Sequence, residues 1–124
     1  MSEKKHTILI IDDNPSISRT LNRILSRAGY SVDIADSGTE ATKKFAANKY
    51  DAAIIDVGLG DMQGTDLLPQ MSKNAPRMLR IILTGTPMIE STLLEAKSGA
   101  HVFLLKPVKP ETILGILKEK LMMF

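Results

Sequence analysis

Asp12-Asp13, Asp56, Thr84 and Lys106 each stand at the end of a run of apolar residues, and their types suit one kind of chemistry. Adjacent carboxylates such as Asp12 and Asp13 repel each other and lose hydration at the mouth of a buried strand, so they call for a positive charge beside them. Three acids that offer only oxygen, without histidine or cysteine nearby, suit a hard cation, and Mg²⁺ is the natural choice. A lysine at the same place neutralises an added phosphoryl group, and a threonine hydroxyl donates to one of its oxygens. Taken singly, each has a plainer reading: a helix-entry turn favoured by the helix dipole for the acid pair, a surface residue for Lys106, a strand-end cap for Thr84. A carboxylate directly after a buried apolar strand is costly without compensation, so Asp56 together with Lys106 shifts the balance toward a phosphate site.

The elements must bring these residues together. Apolar runs of strand length recur at 7–11, 31–35, 52–55, 78–83 and 101–105, each separated by a stretch with helical character. Parallel strands need long connections, so the alternation predicts right-handed crossover units and a doubly wound α/β fold with a five-stranded parallel sheet covered on both faces. The C-terminal ends of such strands share one edge, where open parallel sheets bind ligands, and all five polar residues should meet in a cleft there.

Helix signals agree with that plan. Asn14 is placed to cap the first helix with Pro15 at its first position, and Gly29 to end it; Ile17, Leu21, Ile24, Leu25 and Ala28 form its apolar face. Ser37 with Glu40 reads as a capping box for the second helix, which buries Ala41 and Phe45. Pro69 is tolerated only in a first turn, so the third helix should start late, near Asp66, or bend. A fourth helix is expected from Thr86-Pro87 to Gly99, and a fifth from Pro110 with Ile113, Leu114, Leu117 and Leu121 facing inward. The irregular segment 57–64 is a glycine-spaced loop directly after the third strand.

The bulk properties exclude several classes. At 124 residues, 44% hydrophobic and 24% charged, the chain suits one globular domain, residues 1–124 with an ordered core over about 7–122. A net charge of +2 from scattered lysines and arginines, with only 4% aromatic residues, argues against direct nucleic-acid binding. No segment approaches a membrane span, no secretion signal is evident, and the absence of cysteine fits a cytoplasmic location. His6 and His101 have no partner at ligand spacing, and the methionines lack a stripe.

Asp12-Asp13, Asp56, Thr84 and Lys106-Pro107, in that order at separate strand ends, resemble the receiver domain of two-component response regulators over essentially the whole chain. The resemblance implies a flavodoxin-like sheet of order 2-1-3-4-5. It implies Asp56 as phosphoacceptor, Asp13 as a direct Mg²⁺ ligand, Asp12 as a ligand acting partly through water, and the Gly58 carbonyl as the remaining protein ligand. Thr84 and Phe103 are implied as the switch pair, and Lys106 as the cation facing the phosphoryl group. The phosphodonor would be a phosphohistidine on a sensor kinase or phosphotransfer protein. The chain would assist only its own phosphorylation and dephosphorylation, acting as a switch rather than an enzyme on a free metabolite. It would work alone or as part of a larger regulator, on an output that the sequence does not identify, as a monomer or weak dimer.

Departures from that family pattern sharpen the expectation. Gly60 stands where proline is usual and Gly85 where alanine is common, which should loosen both loops. Phe103 replaces a frequent tyrosine and needs no buried hydrogen-bond partner, so its ring should favour an inward position. Gly58 and Thr86 occupy positions that tune acyl-phosphate lifetime, and Gly58 has no side chain to shield the phosphate or steer water, leaving loop mobility to set the hydrolysis rate. Three rivals compete: a flavin carrier, which would put phosphate where this chain has acids; an aspartyl phosphatase, which would want an acid at Gly58; and a receiver-like interaction module without phosphorylation.

Overall fold

Five parallel strands, β1 (Thr7–Ile11), β2 (Ser31–Ala35), β3 (Ala52–Asp56), β4 (Leu79–Thr84) and β5 (Val102–Leu105), form one sheet in the order β2-β1-β3-β4-β5. This computed structural model describes residues 5–85 and 99–121. The central strands β1, β3 and β4 are buried along almost their whole length, as near-continuous runs of Ile, Leu and Ala require when both faces are covered. The expected topology is the observed one. The strand ends differ by a residue: pairing carries β3 through Asp56 and β4 through Thr84, because the Val57 N–H donates to the Leu83 carbonyl and the Lys106 N–H to that of Thr84. Asp56 and Thr84 are thus held by the sheet itself.

Side chains alternate between two cores. Leu9, Ile11, Ala53, Ile55 and Ile82 pack with Ala41, Leu67, Leu68 and Met71 on one face. Ile8, Ile10, Ile54, Ile81 and Leu83 pack with Leu21, Leu25, Ile113, Leu117 and Leu121 on the other. The period of two along each strand produces that division.

Helix α1 (Pro15–Arg27) opens with the Asn14 side chain accepting from the Ser16 N–H and Pro15 in its first turn. Its end is fixed by Gly29 at φ 100°: the Gly29 N–H reaches the Ser26 carbonyl and the Tyr30 N–H that of Leu25, the paired bonds of a left-handed helix stop. Of the expected stripe, Leu21 and Leu25 are buried and Ile17 packs against the same core, whereas Ile24 is half-buried and Ala28 lies beyond the helix as its exposed cap. Helix α2 (Gly38–Ala47) is capped by Ser37, whose hydroxyl accepts from the Glu40 N–H. Glu40 itself faces Lys44 one turn on, at 3.7 Å.

The third helix starts late, as Pro69 requires. A 3₁₀ turn (Gly64–Leu67) leads into α3 (Leu68–Asn74), with Pro69 in its first turn. The C-terminal helix runs Pro110–Leu121 and buries Ile113, Leu117 and Leu121. The helix expected at 86–99 falls almost wholly outside the described residues, as do Thr86 and the last three residues. Arg80, inside β4, is buried and bonded to the carbonyls of Gly99 and Ala75. Among the described residues no helix is long and apolar enough to cross a membrane.

Candidate functional site

The C-terminal ends of β1 and β3 bring three carboxylates together. One oxygen from each of Asp12, Asp13 and Asp56 lies within 4.8 Å of the others. Asp12 is buried and fully engaged: Oδ1 accepts from the Asn14 N–H at 2.9 Å, and Oδ2 stands 3.5 Å from Lys106 Nζ. Asp13, next in sequence, is exposed and makes no hydrogen bond or ion pair among the described residues. The two acids are therefore unequal, one fixed and one available.

Lys106 follows β5 and reaches across the edge. Its Nζ is 2.9 Å from Asp56 Oδ1 and 3.5 Å from Asp12 Oδ2, so one ammonium serves two buried carboxylates. Burial pulls the ammonium's pKa down, but the hydrogen bond to Asp56 and the charges of both acids outweigh it, and the pKa is raised. Burial raises the pKa of Asp12, and the charge of Asp56 adds to that, against the Asn14 N–H and Lys106. Three carboxylates around one ammonium leave an excess of negative charge that a divalent cation would balance. The donors are all oxygen, one is exposed, and the Gly58 backbone runs alongside, since a Cβ there would meet Asp56 Oδ2 at 3.8 Å. This set fits a hard cation such as Mg²⁺.

Thr84 ends β4 on the same edge, buried, with its carbonyl accepting from the Lys106 N–H at 2.7 Å. Phe103 lies level with Ile82, two residues before Thr84, and its half-buried ring packs on the core shared with α2 and α3. All five polar residues of the sequence reading thus reach one edge. Leu59 is buried in that same core and anchors the middle of the 57–63 loop.

One residue escaped the sequence reading. Asp61 Oδ1 accepts from the Gly38 N–H at 2.9 Å, and Oδ2 from the Thr39 N–H at 2.9 Å and the Thr39 hydroxyl at 2.8 Å. Those bonds hold its carboxyl down to about 2. The available signal was an acid in the glycine loop and a helix start, Ser37-Gly38-Thr39, with backbone donors to satisfy. These bonds tie the loop to the start of α2. Further ties are the Gly58–Gln63 bridge and the Gly64 N–H donating to the Val57 carbonyl at 2.8 Å.

Comparison with known proteins points one way. Residues 8–118 match the family model of the response regulator receiver domain. The chain is 34% identical over 112 residues to the alginate biosynthesis transcriptional regulatory protein AlgB of Pseudomonas aeruginosa, covering 90% of this chain and 25% of that relative. It therefore spans about a quarter of that relative's length. A CheY-like response regulator receiver domain protein from Methanospirillum hungatei superposes with a TM-score of 0.91 at 35% identity, over 97% of this chain and 96% of the other. The response regulator TrrA of Thermotoga maritima, solved in complex with Mg²⁺-BeF, superposes with a TM-score of 0.82 at 28% identity, over 92% and 97% of the two chains.

Proposed function

The chain belongs to the response regulator receiver domain family, and from that premise we propose that it is a phosphoryl-accepting signalling switch with Asp56 as the acceptor. The observation that carries the proposal is the Lys106 ammonium 2.9 Å from Asp56 Oδ1, at an edge where three carboxylates converge. A carboxylate oxygen of Asp56 attacks phosphorus, the bond to the phosphohistidine nitrogen of a kinase or phosphotransfer protein breaks, and that nitrogen keeps the electron pair. An acyl phosphate on Asp56 results.

Asp12, Asp13, Asp56 and the Gly58 carbonyl would hold Mg²⁺. Bound there, the ion supplies neutralising charge for the phosphoryl oxygens. Lys106 exchanges part of its contact with Asp56 for a phosphoryl oxygen, and the Thr84 hydroxyl donates to another. Phe103, packed beside the same strand, follows Thr84, so the surface around β4 and β5 changes and an output is controlled. That output lies either in a further part of the same polypeptide or in a separate target, and AlgB, a transcriptional regulatory protein, supports the first. The receiver acts in the cytoplasm, as a monomer or weak dimer, and turns over no free metabolite.

Incubation with acetyl phosphate and Mg²⁺ followed by intact-mass measurement tests this reading. The wild type should gain one phosphoryl group and Asp56→Asn none. A wild type that gains none leaves the interaction-module reading in its place.

A further inference from the structure

The loop that follows Asp56 is not held by a proline, yet its backbone borders the acid cluster. A Cβ on Gly60 would stand 3.9 Å from Asp13 Oδ2, and one on Gly58 3.8 Å from Asp56 Oδ2. The residue after Gly60 is Asp61, and its two carboxylate oxygens accept three hydrogen bonds from the first turn of α2, 22 and 23 residues away in sequence. Loop and helix are also in direct contact. A Cβ on Gly38 would lie 2.3 Å from Met62 Sδ, so the absence of a side chain at 38 lets Met62 sit over the helix start. Asp61 carries negative charge at the positive end of the α2 dipole, which favours the ionised clamp.

We propose that Asp61 is a positioning residue for the cation and phosphoryl site: its clamp on Gly38 and Thr39 fixes the Gly58–Gly60 backbone against Asp13 and Asp56. The clamp does for this loop what a rigid residue at position 60 would do. It touches neither ion nor phosphate, and it ties the geometry of the site to the start of α2. The proposal rests on the reading of this edge as a Mg²⁺ and phosphoryl site.

Mg²⁺ titration by calorimetry, with unfolding by denaturant measured alongside, provides the test. Removing a group bonded directly to a metal ligand typically changes affinity about 10–100-fold; Asp61 acts one step further out, through the loop backbone, so Asp61→Ala should weaken Mg²⁺ binding at the lower end of that range, roughly tenfold or somewhat less. Ser37→Ala is the control. It removes the other cap of α2, the hydroxyl bonded to the Glu40 N–H, while keeping the Asp61 bonds, and should lower stability while weakening Mg²⁺ binding far less than Asp61→Ala does. Gly60 has no positive φ and its N–H makes no hydrogen bond among the described residues, so proline removes no bond there, and Gly60→Pro in the Asp61→Ala background should recover most of the lost affinity. Backbone amide exchange at 58–60 should quicken in Asp61→Ala and slow again in the double variant. Unchanged affinity in Asp61→Ala, equal weakening in Ser37→Ala, or no recovery in the double variant overturns the clamp. A wild type that does not bind Mg²⁺ instead overturns the reading of the site on which the clamp rests.

Discussion

Lys106 Nζ stands 2.9 Å from Asp56 Oδ1 while also facing Asp12 Oδ2 at 3.5 Å, so the ends of β1, β3 and β5 are joined through one ammonium. Two buried carboxylates depend on that charge, and its removal is a direct probe of the balance. Breaking a fully buried ion pair costs about 3–5 kcal/mol; Lys106 keeps part of its surface in water, and we expect about 1–2 kcal/mol for Lys106→Met without metal. Adding Mg²⁺ should restore much of that loss, because the cation supplies the missing positive charge. Denaturant unfolding with and without Mg²⁺ measures both. A variant as stable as the wild type in chelator would show that the pair contributes nothing.

Asp12 and Asp61 should respond to pH in opposite directions. The Asp12 carboxyl is raised from 3.8 by burial, so its contribution to stability is present below 3.8 and is lost as pH rises through the folded value. Asp61 is lowered to about 2, so its contribution is present above 3.8 and is lost as pH falls toward 2. In chelator at neutral pH, Asp12→Asn should therefore raise Tm and Asp61→Asn should lower it. Both differences should shrink on acidification. The same sign of change in the two variants at neutral pH would contradict the assignment.

Gly64 and Gly38 look alike in sequence but differ in what a methyl group would meet. At Gly64 a Cβ falls 2.0 Å from the Asp56 carbonyl oxygen, which belongs to the sheet and cannot move freely. At Gly38 its three nearest atoms all belong to the flexible Met62 side chain. Overpacking against fixed atoms costs about 1–3 kcal/mol or more, so Gly64→Ala should lose at least that amount and slow phosphorylation. Gly38→Ala should stay within about 1 kcal/mol of wild type, since Met62 can turn aside. Equal destabilisation by the two would refute the distinction.

Much of this was legible in the chain. Asp12, Asp56, Thr84 and Lys106 each end an apolar run, and a parallel sheet collects such ends at one edge, so the cleft followed from topology. Pro69 announced the late start of α3, and the 3₁₀ turn before it was the remaining detail. Asp61 was not legible, because its partners Gly38 and Thr39 are far away in sequence and a lone loop acid looks solvated. Arg80 was hidden for a related reason: it interrupts an apolar strand, and what makes it acceptable there, carbonyls of Ala75 and Gly99, comes from turns the strand pattern does not show. The inward preference of Phe103 remains a proposal, though its ring does pack on the core beside Thr84's strand.

The central claim is that the phosphoryl group goes to Asp56 and not to its neighbours in the cluster. After incubation with acetyl phosphate and Mg²⁺, borohydride reduction converts an aspartyl phosphate to homoserine, and peptide mass mapping locates it. We predict conversion at Asp56 alone, lost when Mg²⁺ is chelated. Conversion at Asp12 or Asp13, or at no aspartate, would contradict the account.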